Sequence, residues 1–145
     1  MIDDDSFNEI RQIFLEEADE GLDIMESGLL ELDADPSATD LVNDIFRAAH
    51  SIKGGSATFG YSDISTFTHL METLLDEMRD GTRMPSPEST KVLLDSVDCL
   101  QEMMEAIKAG ESIDPSRSED VSKSLRQLLG EDDAAASAAP DKQSA

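Results

Sequence analysis

The chain has 145 residues, of which 33 are acidic and 11 are basic, and its formal net charge is −22. We do not expect so acidic a chain to bind nucleic acid or an anionic membrane, because both need a basic surface. No apolar run approaches the roughly 20 residues of a membrane span, and the start Met1-Ile2-Asp3-Asp4-Asp5 lacks the positive charge of a signal peptide. The single cysteine, Cys99, excludes an internal disulfide and a multi-thiolate metal site. The composition predicts a soluble cytoplasmic protein.

Apolar residues with helical spacing run through most of the chain, and no sustained strand alternation is present. The first predicted helix ends at the turn Asp35-Pro36, and the second begins near Asp40 and ends at Gly60. The apolar ridge of the first helix comprises Phe7, Ile10, Phe14, Ala18, Leu22, Met25, Leu29 and Leu32. The inward-facing residues of the second helix are predicted to be Leu41, Ile45, Ala48, Ala49, Ile52 and Phe59.

Three further helices are predicted, each from a capping residue or proline at its start and a glycine at its end. They extend from Ser62 as N-cap to Gly81, from Ser86-Pro87 to Gly110, and from Asp114-Pro115 to Gly130. Residues 131–145 are small, polar or charged, which is typical of a flexible linker or tail. The sequence therefore predicts that residues 1–130 form an all-α domain, which is an antiparallel four-helix bundle with an additional C-terminal fifth helix.

The second predicted helix carries a candidate reactive histidine. On a helical wheel His50 lies about 140° from Ile45, the centre of the core stripe, so its imidazole is expected to project outward. Gly54 and Gly55 follow one turn later, at a cost of about 1 kcal/mol each relative to alanine. Packing explains Gly55, which lies at the edge of the core stripe, whereas Gly54 leaves room beside the ring for a bulky partner or an attached group. Lys53 is placed to steady negative charge on that group.

The third predicted helix offers a partner for this histidine. Glu72 and His69 lie at the margin of its apolar stripe. A carboxylate on an adjacent helix can accept a hydrogen from one imidazole nitrogen and leave the other nitrogen as a nucleophile. The alternative is that His50 and Glu72 are ordinary surface residues. The pair His69-x-x-Glu72 also resembles part of a metal site, but its order is the reverse of that in carboxylate-bridged bundles, so we expect no metal.

The motif that surrounds these residues resembles a known family. The stretch Phe46-Arg47-Ala48-Ala49-His50-Ser51-Ile52-Lys53-Gly54-Gly55-Ser56-Ala57-Thr58-Phe59-Gly60 is similar to the phosphotransfer motif of CheA-type chemotaxis histidine kinases, and residues 68–79 continue the similarity. The resemblance covers about residues 7–130 and implies a histidine phosphotransfer (HPt) domain. It implies the following roles: His50 as phosphoryl acceptor, Lys53 and Gly54 beside the phosphoryl group, Glu72 as the partner of the imidazole, and His69 as a neighbouring polar residue.

The resemblance also implies which molecules act on the domain. The partners would be a CheA catalytic domain and receiver domains of the CheY or CheB type, and the domain itself would be monomeric. ATP and Mg²⁺ would be used by those partner domains, and no cofactor is expected in this one. The location would be cytoplasmic, at a chemoreceptor cluster. The alternative function is a helical bundle that docks receivers as a scaffold and carries out no chemistry.

Overall fold

The computed structural model describes residues 4–137, with side chains described as far as residue 130. This part of the chain forms helices and no strand, as predicted. The helices are α1 (Asp4–Ala34), α2 (Asp40–Thr58), α3 (Ser62–Arg79), α4 (Pro87–Lys108) and α5 (Pro115–Ser137). Among the described residues, no helix is both long enough and apolar enough to cross a membrane.

The first four helices close a ring around one hydrophobic core. Helix α2 packs against α1 and α3, and α4 completes the ring by packing against α3 and α1, while α5 covers α3 and α4. Short connections, such as residues 35–39 between α1 and α2, make consecutive helices antiparallel. The predicted four-helix bundle with a fifth helix is confirmed. Side chains from each of the four ring helices are completely buried, among them Leu29, Ile45, Leu74 and Leu100.

Most of the predicted helix boundaries are confirmed by the local backbone. Gly60, Gly81 and Gly110 follow α2, α3 and α4 with φ values of 81°, 85° and 72°, a conformation that glycine adopts without strain. Helix α4 begins as predicted, because the Ser86 side chain accepts a hydrogen bond from the backbone N–H of Ser89 at 3.1 Å. Sequence-local signals thus explain where the helices that carry the candidate site end.

One predicted helix end and one predicted N-cap are wrong. Helix α5 continues through Gly130 to Ser137, because one glycine costs only about 1 kcal/mol in a helix and the following alanines and glutamate favour helix. Residues 131–137 of the predicted linker are therefore helical, and residues 138–145 lie outside the described residues. Ser62 is the first helical residue of α3, and the N-cap position is taken by Tyr61, which makes no side-chain capping bond.

The predicted apolar ridge of α1 is buried only from Phe14 onward. Phe7 and Ile10 are each 45% exposed. The reason is length, because α1 has 31 residues and its partners in the ring have at most 22. The first turns of α1 therefore extend past the core, where the Phe7 ring meets Phe59 edge-on at a centroid distance of 5.4 Å.

The adjacent glycines of α2 provide a test of this packing. A Cβ atom added at Gly55 would overlap the Phe14 ring, whereas a Cβ at Gly54 would meet no atom within 4 Å. We expect Gly55→Ala to lower the free energy of unfolding by about 1–3 kcal/mol through overpacking. We expect Gly54→Ala to raise it by about 0.5–1 kcal/mol, because alanine restricts the unfolded chain. Urea unfolding followed by circular dichroism measures both, and equal effects from the two changes would contradict the packing described here.

Candidate active site

His50 lies on the outer face of α2, as predicted, with 63% of its side chain exposed. Its Nδ1 atom is hydrogen-bonded to Oε2 of Glu72. An ionised carboxylate can only accept, so Nδ1 carries the hydrogen and donates it. In the neutral imidazole this leaves a lone pair on Nε2. The arrangement therefore gives the exposed ring one anchored nitrogen and one nucleophilic nitrogen.

Glu72 comes from α3 and is buried against α2, with only 9% of its side chain exposed. Its second oxygen, Oε1, accepts a hydrogen bond from Nζ of Lys53. His69, one turn before Glu72 on α3, has its Nδ1 atom 3.7 Å from the same oxygen. The structure thus brings four predicted site residues together around one carboxylate, two from α2 and two from α3.

Glu72 is more deeply buried than its predicted position at the margin of the apolar stripe indicates. Helix α3 packs against α2, α4 and α5, so its buried arc is wider than its stripe of apolar residues. Glu72 falls inside that arc on the side that faces α2. A buried carboxylate needs hydrogen-bond partners, and the two from α2 supply them.

The electrostatic environment keeps Glu72 ionised. Burial raises the pKa of its carboxyl, but the hydrogen bonds from Lys53 and His50 lower it by more, so the pKa lies below the ordinary value of 4.5. The surrounding chain is also less acidic than the rest, because residues 41–62 contain one acidic residue, Asp44, against Arg47 and Lys53. Negative charge on His50 would meet less repulsion here than elsewhere on this protein.

The two glycines that follow His50 have different surroundings. Gly55 faces the core at Phe14, which confirms the packing explanation given for it. Gly54 faces open space, and nothing in the described structure within 4 Å of its missing Cβ accounts for a glycine at this position. The surface one turn after His50 is therefore flat and accessible.

Sequence reasoning missed two residues that adjoin the site. The Phe46 ring lies nearly parallel to the His50 ring, with centroids 6.1 Å apart and planes 8° apart. The guanidinium carbon of Arg79 lies 3.9 Å from the centroid of the Phe46 ring. The spacing of Phe46 and His50, four residues apart on one helix, is a signal that could have found the first of them. Nothing in the sequence places Arg79, which belongs to another helix.

Other candidate sites have less to support them. Among the described residues no group of three or more His, Cys, Asp or Glu side chains could hold a metal ion. Cys99 is buried, and burial raises the pKa of its thiol to about 11, which is consistent with a small apolar side chain that fills space in the core.

A groove of about 590 Å³ between α4 and α5, lined mainly by acidic residues and Arg117, contains none of the predicted site residues. A second groove, of about 610 Å³, lies between α1 and α2, and its lining includes Arg47 and Ser51, which flank His50 in the sequence.

Comparison with known proteins defines the class to which this site belongs. The model of the Hpt domain family matches residues 9–110. The chain belongs to the Hpt domain family, which here presents an exposed histidine on a helical bundle.

Within that family the chain is similar to the phosphotransfer domains of CheA. It is 41% identical over 135 residues to the chemotaxis protein CheA of Rhizobium meliloti, an alignment that covers 92% of this chain and 18% of the relative. It is 46% identical over 119 residues to CheA of Klebsiella aerogenes, covering 81% of this chain and again 18% of the relative. The chain thus spans less than a fifth of the length of these relatives.

Solved structures give the same result for the fold. The phosphorylated P1 domain of CheA3 in complex with CheY6 from R. sphaeroides matches with a TM-score of 0.79 and 31% identity, covering 85% of this chain and 97% of that one. The CheA phosphotransferase domain from Thermotoga maritima matches with a TM-score of 0.64 and 30% identity, covering 69% and 95%. The bundle is therefore that of a CheA-type Hpt domain.

The lowered pKa of Glu72 predicts how pH affects stability. The folded state favours the ionised form of Glu72. The contribution of this carboxylate to the free energy of unfolding is therefore complete above the ordinary pKa of 4.5, and it is lost as the pH falls through the folded-state pKa. We expect the free energy of unfolding of Glu72→Gln to be about 1–3 kcal/mol lower than that of the wild type near neutral pH. We expect that difference to shrink when both are measured at about pH 3.

Urea unfolding of both proteins across this pH range measures the effect. The matched control is Glu105→Gln, because Glu105 is exposed and its contact with Lys108 lies at the surface. This control should stay within about 0.5 kcal/mol of the wild type at every pH. A Glu72→Gln difference that does not depend on pH would contradict the ionised state assigned to Glu72.

Proposed function

We propose that this chain is a phosphorelay domain in which His50 accepts the γ-phosphoryl group of ATP from a CheA-type kinase domain. The group then passes from His50 to an aspartate of a response-regulator receiver. The observation that carries the proposal is the buried Glu72 carboxylate at Nδ1 of an exposed imidazole. A scaffold that only docks receivers has no use for a buried charge that fixes one tautomer of a surface histidine.

The proposed reaction uses the lone pair on Nε2 of His50. This nitrogen attacks the γ-phosphorus, the Nε2–P bond forms, the bond from phosphorus to the bridging oxygen breaks, and ADP leaves. The imidazole keeps its hydrogen on Nδ1 and becomes a cation, which the Glu72 carboxylate stabilises. In the second reaction a receiver carboxylate attacks the same phosphorus, and neutral His50 leaves. ATP and Mg²⁺ are brought by the partner domains.

The other predicted site residues have supporting roles in this proposal. Lys53 is bonded to Glu72 and sits one turn from His50, so it can share its charge between the carboxylate and the oxygens of a phosphoryl group on Nε2. Gly54 leaves the approach to the ring free of side chains. His69 lies at the edge of the same carboxylate and is exposed, as a neighbouring polar group of the site.

We further propose that the receiver, of the CheY or CheB type, docks over the groove between α1 and α2. The lining of this groove includes Arg47 and Ser51, three residues before and one residue after His50, and Ile24 exposes an apolar side chain there. A P1 domain similar to this chain forms a complex with CheY6, which supports a receiver as the partner. We propose that the domain acts as a monomer in the cytoplasm, where ATP is available to its kinase.

The phosphoryl acceptor can be identified by labelling. The protein is incubated with Mg-ATP and a CheA catalytic fragment, and the acid-labile, base-stable phosphate is counted. We expect label on the wild type and a loss of at least about 100-fold in His50→Gln, because among the described residues only His50 has a ring nitrogen hydrogen-bonded to a buried carboxylate. His69→Gln is the matched control and should keep most of the label. Normal labelling of His50→Gln would contradict the proposal, and an unlabelled wild type would favour the scaffold.

The docking face can be tested with two exposed apolar residues of α1. Ile24 lines the groove and is 50% exposed, whereas Leu30 is 55% exposed and lies outside it. We expect Ile24→Ser to raise the KM for transfer to the receiver by about five-fold and Leu30→Ser to leave it unchanged. Stopped-flow measurement of phosphoryl loss at several receiver concentrations gives both values. Equal KM values for the two variants would place the receiver elsewhere.

A further inference from the structure

The bond from Glu72 to Nδ1 does not by itself fix the plane of the His50 ring. A single hydrogen bond can break and re-form, and the ring can then turn about its Cβ–Cγ bond because this terminal torsion has broad minima. Most of the ring is exposed, so few neighbours limit this motion. A nitrogen that has to meet phosphorus in line gains from a second restraint on the ring.

Phe46 supplies a contact of the required kind. It lies one turn before His50 on α2, and its ring is nearly parallel to the imidazole, at 8°, with centroids 6.1 Å apart. Parallel and offset rings at this separation attract one another, and the contact favours a common plane. Phe46 is half-buried and packed against the hydrophobic core, so its own ring is held more firmly than that of His50.

Arg79 holds the Phe46 ring from the neighbouring helix. Its guanidinium carbon lies 3.9 Å from the ring centroid, which is the distance of a stacked cation–π contact. The guanidinium is held in turn by the Asp76 carboxylate, at 2.7 Å from Nη2. A chain of contacts thus leads from α3 through Arg79 and Phe46 to the face of the reactive ring.

We propose that Phe46, braced by Arg79, is a positioning residue for phosphoryl transfer. Glu72 fixes Nδ1 of His50, and Phe46 fixes the plane of the ring, so that Nε2 points outward in one direction. This inference rests on the proposed role of His50 as acceptor. It adds a second restraint that acts through the imidazole and does not touch the phosphoryl group.

The test compares Phe46→Leu with Phe46→Tyr in the full 145-residue chain. Leucine keeps an apolar side chain against the core but has no flat ring, and tyrosine keeps the ring. We expect Phe46→Leu to lower kcat for phosphorylation by a CheA catalytic domain about five-fold at unchanged KM. We expect Phe46→Tyr to restore kcat to within about two-fold of the wild type.

The nitrogen chemical shifts of the His50 ring provide a readout that does not need the kinase. In the wild type they should report the hydrogen on Nδ1 alone. In Phe46→Leu they should report a mixture of tautomers, because a ring that turns loses its bond to Glu72 for part of the time. Phe59→Leu is the matched control, since Phe59 is another half-buried aromatic residue at the end of α2 but packs on Phe7 and Phe14.

Several results would overturn the inference. If Phe46→Leu has the wild-type kcat and the wild-type nitrogen shifts, the stacking of Phe46 on His50 does not position the ring. If Phe46→Leu raises KM at constant kcat, Phe46 is instead a contact for the kinase. If Phe46→Leu does not fold, Arg79→Gln decides, because it removes the cation and changes only an exposed side chain. Wild-type behaviour of Arg79→Gln would then contradict the brace, and about a two-fold loss of kcat would support it. A wild-type chain that accepts no phosphoryl group would overturn the proposed function, and the nitrogen shifts would still test the stack.

Discussion

The buried carboxylate of Glu72 is the constraint on which the site depends. One oxygen holds Nδ1 of His50 and the other holds Nζ of Lys53, so a single side chain of α3 fixes two side chains of α2. Neither helix carries the site alone. An isolated buried carboxylate would be costly, and the two partners offset that cost through their hydrogen bonds and charges. The hydrogen bond that His50 donates to this carboxylate also leaves Nε2 as the free nucleophilic nitrogen.

The rest of the bundle keeps this pair of helices in register while leaving the ring accessible. Gly55 allows α2 to approach Phe14 of α1 more closely than any other residue would. Gly54, next to it, has no described atom within 4 Å of its missing Cβ and leaves the outer surface open. The two adjacent glycines therefore have different surroundings, one at the core and one at the surface that follows His50. The contact of Phe46 with Arg79 joins α2 and α3 a second time, beside the ring.

Much of this could be predicted from the sequence, because helical periodicity reports the direction of a side chain. It predicted the five helices, and it placed His50 on the outer face of α2. Periodicity cannot report which helices pack together. It therefore places Glu72 at the margin of the apolar stripe and does not predict how deeply the side chain is buried. It also could not show the stacking of Arg79 on Phe46, since their contact depends on how α3 lies against α2. Glycine favours helix ends and so predicts an end at Gly130, yet its cost of about 1 kcal/mol is small enough for α5 to continue through it.

We propose that Glu72 fixes the tautomer of His50, so that Nε2 alone receives the phosphoryl group. The most direct measurement is the coupling between phosphorus and nitrogen by NMR in the phosphorylated protein, with histidine labelled at both ring nitrogens. We expect phosphorus coupled to Nε2 of His50, with the hydrogen still on Nδ1. A phosphoryl group on Nδ1 of His50, or on His69, would contradict it.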